Sequence, residues 1–139
     1  MAHNGVVALG RQDDWATHDL GAEIGGIYDT AHGATLAMMF PSWLKFVMHH
    51  DLDRMVMFAH NVMGVDMHGT REEIALAGID ALKDFYHKVG MPTSFKEAEV
   101  PTDRVEEMAS KATKNGTTTI GGYVALTKED VLEIYKMAF

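Results

Sequence analysis

Apolar residues recur at every third or fourth position along most of the chain, which is the spacing of one face of an α-helix. The clearest helix begins at Thr70, whose hydroxyl forms a capping box with the carboxylate of Glu73, and it ends at Gly90. The same spacing predicts further helices over residues 15–23, from 32 onward with a kink or restart at Pro41, 51–63, 103–114 and from Thr127 onward. No strand-type alternation stands out, so the sequence predicts an all-α helical bundle.

Two glycines, Gly25 and Gly26, are predicted to end the first of these helices. The chain then turns through Asp29 into a helix that begins near His32. This reversal matters because His18 and His32 are fourteen positions apart. On one straight helix they would lie about 21 Å apart and could not share a ligand. A turn of about six residues after the glycines could bring them together.

The composition restricts the classes of function. The chain has 139 residues, enough for one domain over residues 1–139, and no cysteine, which excludes disulfides and thiolate metal sites. Twelve basic and twenty acidic residues give a net charge of −8, which disfavours nucleic acid and anionic lipid as partners. The start lacks a secretory signal, and the longest apolar stretch, residues 34–48, is shorter than the roughly 20 residues of a membrane span. We therefore expect a cytoplasmic protein that binds neither membrane nor nucleic acid.

The histidines are the candidate metal ligands, because imidazole binds Fe²⁺ and Zn²⁺. The chain has eight of them, and spacing alone leaves His18 and His32 as either ligands or ordinary helix residues. Asp14 and Asp29 could each accept a hydrogen bond from a ligand imidazole, although helix capping is favoured for both. His3 is expected to approach the site without binding. Surface or helix-end positions, rather than metal ligation, are expected for His49, His50, His60, His68 and His87.

The aromatic residues near these histidines have two interpretations. Trp15 is predicted to pack in the core beside the first helix rather than to contact a substrate. Phe40, Trp43 and Phe46 recur at three-residue steps, which favours core positions over the lining of an apolar pocket.

Several strings of residues carry a resemblance to a known family. They are Ala2-His3-Asn4-Gly5, Gly10-Arg11, Asp14-Trp15-Ala16-Thr17-His18, Tyr28-Asp29-Thr30-Ala31-His32-Gly33-Ala34, Leu36-Ala37, Phe40-Pro41, Gly90-Met91-Pro92 and Leu126-Thr127-Lys128-Glu129-Asp130-Val131. On these strings the chain resembles the C-terminal helical region of the iron-containing (group III) alcohol dehydrogenases, most closely the NAD(P)H-dependent butanol dehydrogenase branch. The resemblance implies the helical, metal-binding domain of a dehydroquinate synthase-like fold.

The resemblance also implies that His18 and His32 are two of the family's four ligands for Fe²⁺ or Zn²⁺. The other two, an aspartate and a histidine one helical turn apart, are expected in a segment upstream of this chain. The dinucleotide-binding domain that takes NAD(P)H is expected to be absent from this chain as well. Family members commonly have another histidine four residues after the first ligand, where this chain has Ala22. No residue is therefore assigned a catalytic role.

Two functions follow from these observations. The first is the metal-binding, substrate-side portion of an NAD(P)H-dependent dehydrogenase of small alcohols and aldehydes, expected to be inactive as the isolated chain. Its ligand set would be completed by a complementing N-terminal half, or by a homo-oligomer in which two chains donate His18 and His32 across a twofold axis. The alternative is a non-catalytic helical scaffold or interaction module derived from the same fold, which Ala22 favours.

Overall fold

A computed structural model describes residues 5–139. Within these residues the chain forms six α-helices and no strand, so the predicted all-α class is confirmed. The helices are α1 (Ala16–Tyr28), α2 (His32–Val47), α3 (Leu52–Asn61), α4 (Arg71–Lys88), α5 (Val105–Ala112) and α6 (Lys128–Lys136), and short 3-10 turns cover Val6–Ala8 and Met48–His50. One isolated antiparallel bridge joins Ile120 and Leu126. None of the helices described combines the length and apolarity that crossing a bilayer requires.

Capping boxes set the starts of α4 and α6, whereas no side chain caps the start of α5. The Thr70 hydroxyl accepts from the backbone N–H of Glu73, whose carboxylate accepts from the backbone N–H of Thr70. Thr127 and Asp130 form the same reciprocal box at α6. The capping box predicted at Thr70 and the helix start predicted at Thr127 are confirmed, and each box is satisfied by side chains within one turn.

The end of α1 differs from the prediction. The helix runs through both glycines to Tyr28, and Asp29 ends it in the left-handed conformation, φ 53°, with its N–H donating to the carbonyl of Gly25. A glycine in a helix costs only about 1 kcal/mol. Ile24 is buried and Tyr28 packs against the core, while its hydroxyl donates to Asp103 at 2.8 Å. These tertiary contacts outweigh the local preference, and Asp29 ends α1 instead of capping α2.

Pro41 lies inside α2 without restarting it. Proline lacks the N–H that would donate to the carbonyl four residues earlier. The helix nevertheless continues to Val47, because Met38, Trp43 and Leu44 on either side of Pro41 are buried in the core.

The core lies between α1, α2, α4, α5 and α6, and α3 packs mainly on α4. Its fully buried side chains include Leu20, Ile24, Met38, Met39, Phe95, Met108, Val131, Ile134 and Tyr135. The hydroxyl of Tyr135 donates to the carbonyl of Leu20 at 2.9 Å, and burial raises the pKa of this phenol. This contact fixes α6 to α1, the helix that carries His18.

Candidate metal site

The helices that carry His18 and His32 approach each other closely at Gly21. A Cβ atom at Gly21 would lie 2.7 Å from Oγ1 of Thr35, so only glycine permits this approach. Thr35 is fully buried, and its hydroxyl donates to the carbonyl of His32 at 2.8 Å. Each histidine lies three residues before one partner of the contact, and residues i and i+3 share one face of a helix. The contact therefore brings the two imidazoles side by side.

The two imidazoles face each other through ring nitrogens. Nδ1 of His18 lies 3.2 Å from Nε2 of His32, and the ring centroids are 5.2 Å apart. The ring of Trp15 lies against His18 with a centroid distance of 4.9 Å, and its indole N–H donates to Asp13 at 2.7 Å. Trp15 is 49% exposed, so its predicted core position is wrong. It borders the histidine pair at the surface of the molecule.

The separation of the two nitrogens fits one shared cation. Transition-metal ions bind imidazole at about 2.0–2.1 Å, so two such ligands of a tetrahedral ion lie roughly 3.3 Å apart. The same distance fits a hydrogen bond in which one neutral ring donates to the other. Among residues 5–139, no cluster of three or more His, Asp or Glu side chains could hold a metal ion. Within these residues the pair therefore offers two ring nitrogens, fewer than the three or more protein ligands that a catalytic metal site normally has.

Carboxylates give this end of the molecule negative charge. Burial, together with the carboxylates of Asp14 and Glu23, raises the pKa of Asp19, whereas His18 acts in the opposite direction. Glu23 pairs with the ammonium of Lys111 at 3.2 Å. The remaining negative charge on α1 favours a cation near His18.

Asp14 ties the start of α1 to a distant loop. Its Oδ1 accepts from the backbone N–H of Ala16 at 2.8 Å, and its Oδ2 accepts from those of Gly122 and Tyr123 at 2.7 Å each. Asp14 therefore accepts from the first N–H of α1 as an acceptor before a helix does, although the N-cap position itself is Trp15, which has no side-chain cap. The tie to residues 122 and 123 has no local signal in the sequence, because it joins positions more than a hundred residues apart.

The other described histidines lie apart from this pair, and four of them have contacts of their own. His87 Nε2 lies 3.0 Å from both the Glu97 carboxylate and the Thr93 hydroxyl. His49 pairs with Glu72 at 3.6 Å, His60 lies 3.0 Å from the carbonyl of Val65, and the ring of His50 contacts Tyr123. His49, His50, His60, His68 and His87 are exposed, as predicted. The expectation for His3 lies outside the described residues.

Sequence reasoning missed the contact between Gly21 and Thr35, because the two residues lie in different helices and no local pattern links them. Ala22 is exposed one turn after His18 and presents only a methyl group there.

Comparison of the sequence with models of protein families identifies the class of protein that has this fold and this histidine pair. The model for the Fe-containing alcohol dehydrogenase family, C-terminal region, matches residues 1–139. The chain belongs to this family.

Individual relatives agree with the assignment. The chain is 33% identical over 140 residues to NADH-dependent butanol dehydrogenase A of Clostridium acetobutylicum, covering 100% of this chain and 36% of that protein. It is 37% identical over 137 residues to probable NADH-dependent butanol dehydrogenase 1 of Bacillus subtilis, covering 98% and 35%. The crystal structure of NADH-dependent butanol dehydrogenase A from Thermotoga maritima superimposes with a TM-score of 0.85 and 35% identity over 97% of this chain and 35% of that one. The chain spans about a third of the length of these relatives.

Proposed function

We propose that His18 and His32 bind one divalent metal ion, Fe²⁺ or Zn²⁺, in the metal-binding, substrate-side portion of an NAD(P)H-dependent alcohol dehydrogenase. The observation that carries this proposal is the pair of facing ring nitrogens, 3.2 Å apart, in a member of the Fe-containing alcohol dehydrogenase family. The names of the butanol dehydrogenase relatives support small alcohols and aldehydes as substrates and a nicotinamide as the cofactor. We propose the cytoplasm as the location of this activity.

The residues of this chain would hold and orient the ion. When bound, the ion supplies Lewis-acid polarisation of an alcohol or aldehyde oxygen. His18 and His32 donate lone pairs, which requires both rings to be neutral. Trp15 restricts the His18 ring from one side, and the Thr35 hydroxyl donates to the His32 carbonyl within the first turn of α2. The hydride belongs to the nicotinamide, for which we propose a site in the part of the relatives' length that this chain does not match.

Metal titration of the purified chain tests the ligand assignment. We expect Zn²⁺ binding measured by calorimetry at pH 7.5 to weaken at least about tenfold in His18→Ala and in His32→Ala, because each change removes one of two nitrogen ligands. His60→Ala is the matched control, since His60 is also a helical histidine and its ring contacts the carbonyl of Val65. If the parent and all three variants bind Zn²⁺ with equal affinity, neither His18 nor His32 is a metal ligand.

The rest of the ligand set has two possible sources. One is the N-terminal two-thirds of a relative, supplied as a separate polypeptide, and the other is a second copy of this chain. We expect butanal reduction with NADH or NADPH to require both that polypeptide and Fe²⁺ or Zn²⁺, and to be absent from the chain alone. If two copies complete the site instead, sedimentation will show a dimer that forms only with Zn²⁺ and that His32→Ala prevents.

A non-catalytic scaffold is the second candidate, and Ala22 favours it. An imidazole one turn from His18 could bind solvent or relay a proton, and a methyl group cannot. This candidate predicts no reduction of butanal in any mixture, together with full binding of the complementing polypeptide by the His18→Ala variant. An Ala22→His variant that raises activity in the mixture would instead support the enzyme.

A further inference from the structure

The turn that follows α5 carries an Asn-Gly pair, Asn115-Gly116, at the surface of the molecule. The backbone is left-handed at three successive residues, with φ of 49° at Lys114, 60° at Asn115 and 77° at Gly116. Glycine and asparagine adopt this conformation most readily, so the pair suits the end of a helix. An asparagine before glycine is also the one most open to attack by the next backbone nitrogen, because glycine has no side chain to obstruct the approach.

The reaction open to such a pair is intramolecular. The backbone nitrogen of Gly116 loses its proton to solvent and attacks Cγ of the Asn115 side chain. The bond from Cγ to Nδ2 breaks, and the side-chain nitrogen takes a proton from water and leaves as ammonia. Water then opens the cyclic imide at either of its carbonyl carbons, which gives aspartate or isoaspartate at position 115. The balance is one water consumed and one ammonia released, so the reaction needs no oxidant and no cofactor.

A buried hydroxyl holds the attacking nitrogen. The Gly116 backbone N–H donates to Oγ1 of Thr113 at 3.2 Å, and the Thr113 hydroxyl donates in turn to the carbonyl of Ala109 at 2.7 Å. Thr113 is fully buried, so its side chain has little freedom to leave this position. A hydrogen bond to a neutral oxygen stabilises the protonated amide and has to break before the nitrogen can lose its proton. The Thr113 hydroxyl therefore slows the attack on Asn115.

Two further backbone hydrogen bonds fix the turn around the pair. The N–H of Asn115 donates to the carbonyl of Ser110 at 2.6 Å, and the N–H of Thr118 donates to the carbonyl of Thr113 at 3.1 Å. The attacking nitrogen can reach the Asn115 side chain only when the bond to Thr113 opens. Residues 114–119 are exposed, so this opening requires no unfolding of the core.

We propose that Asn115 is a site of spontaneous deamidation whose rate is set by local opening of this turn against the Thr113 hydroxyl. The modification places a carboxylate where the chain has an amide. The isoaspartate product also lengthens the backbone between α5 and the loop that leads to Tyr123. None of the contacts that carry this proposal involves His18 or His32, so it does not rest on metal binding.

Incubation of the folded chain at pH 8, followed by digestion and mass spectrometry, measures the replacement of NH₂ by OH at position 115. Digestion with trypsin separates this position from the other Asn-Gly pair, Asn4-Gly5. We expect Asn115 to react at least about tenfold more slowly in the folded chain than in a synthetic peptide of residues 109–122, because the turn has to open first.

Three threonine variants test the role of the buried hydroxyl. Thr113→Val keeps the shape of the side chain without the hydroxyl and is expected to speed the reaction about two- to tenfold, the effect of losing one hydrogen bond. Thr113→Ser keeps the hydroxyl and is expected to react at nearly the parent rate. Thr117→Val is the matched control, because the Thr117 hydroxyl donates to the carbonyl of Lys114 in the same turn and not to an oxygen that holds Gly116.

A variant that is destabilised elsewhere separates local opening from global unfolding. In Gly78→Ala the added methyl group meets Ala59 between α3 and α4, away from the turn, and Asn115 is expected to react at the parent rate. The proposal is overturned if Asn115 reacts as fast in the parent as in the peptide, if Thr113→Val and Thr117→Val react alike, or if Gly78→Ala speeds the reaction as much as Thr113→Val. It is also overturned if Asn115 stays intact in the parent and in Thr113→Val after the peptide has reacted completely.

Discussion

Gly21 and Gly78 allow two pairs of helices to touch because they have no side chain. At Gly78 an added Cβ would lie 2.7 Å from Cα of Ala59, and Ala59 is fully buried between α3 and α4. At Gly21 the same kind of contact sets the distance between α1 and α2 and hence the position of His18 beside His32. An added Cβ would meet the backbone of α3 at Gly78 and the side chain of Thr35 at Gly21, and neither glycine has a positive φ.

Alanine substitutions distinguish a glycine at a close helix contact from a glycine that only occupies a helix, by their effect on the free energy of unfolding. Gly78→Ala is expected to lower the free energy of unfolding by about 1–3 kcal/mol, because the backbone of α3 has to move to admit the methyl group. Gly26→Ala is expected to raise it by about 0.5–1 kcal/mol, since an added Cβ at Gly26 in α1 meets no atom within 4 Å. Urea unfolding measures both changes. Equal effects of the two substitutions would show that helix propensity, and not the contact with Ala59, determines the role of Gly78.

At the scale of elements, the segment before α1 and the loop before α6 are held together by one carboxylate. Asp14 accepts from Gly122 and Tyr123, and the side-chain amide of Gln12 donates to the carbonyl of Gly122 at 2.7 Å. These residues also line a cavity beside Trp43. The start of the helix that carries His18 therefore depends on a loop far along the chain.

Removal of the Asp14 carboxylate is expected to release this loop. In Asp14→Ala the amides of Gly122 and Tyr123 lose their acceptor and should exchange hydrogen at least tenfold faster, with a loss of about 1–3 kcal/mol in the free energy of unfolding. Hydrogen exchange followed by NMR measures the two amides directly. Asp13→Ala is the control, because the Asp13 carboxylate accepts only from the exposed Trp15 indole among these contacts. Unchanged exchange at Gly122 in Asp14→Ala would contradict the role of this carboxylate.

At the scale of the whole molecule, hydrogen bonds to carboxylates link stability to pH. The pKa values of four carboxyl groups are lowered, by backbone N–H donors at three of them and by the Arg104 guanidinium at Glu107. These groups are Asp51, Glu73, Glu97 and Glu107. A folded pKa below the unfolded value means that the stabilisation is present above the unfolded pKa, near 4, and is lost as the pH falls through the folded pKa. The raised pKa of Asp19 has the opposite effect, because burial of this carboxyl favours its protonated form and so favours folding at lower pH.

We therefore expect the urea midpoint of the chain to be nearly constant from pH 7 to pH 5 and to fall between pH 5 and pH 3. Glu97 is a useful probe because it accepts from the Thr93 backbone N–H at 2.7 Å and contacts His87. Glu97→Gln should be less stable than the parent at pH 7, and the difference should shrink toward pH 3, where the parent carboxyl is also neutral. Glu133→Gln, a change at an exposed position, should have the same urea midpoint as the parent from pH 7 to pH 3. A difference at Glu97 that is independent of pH would mean that shape, and not charge, sets its contribution.

The sequence by itself determined the helical class and the starts of α4 and α6. It also contained the motifs around His18 and His32 that resemble the iron-containing alcohol dehydrogenases, and the family model that matches residues 1–139 agrees with this resemblance. These features could be predicted because they are local. The hydrophobic period of a helix and a capping box such as Thr70 with Glu73 are satisfied within one or two turns.

Only the tertiary structure decided where α1 ends, which residue allows α1 to approach α2, and which contacts hold the start of α1. Burial of Ile24 outweighs the weak helix preference of the glycine pair, and the close approach at Gly21 depends on Thr35, which lies in another helix. The hydrogen bonds from Gly122 and Tyr123 to Asp14 cross more than a hundred residues. The stabilisation from these contacts depends on two residues that are distant in the sequence, so no local pattern predicts it.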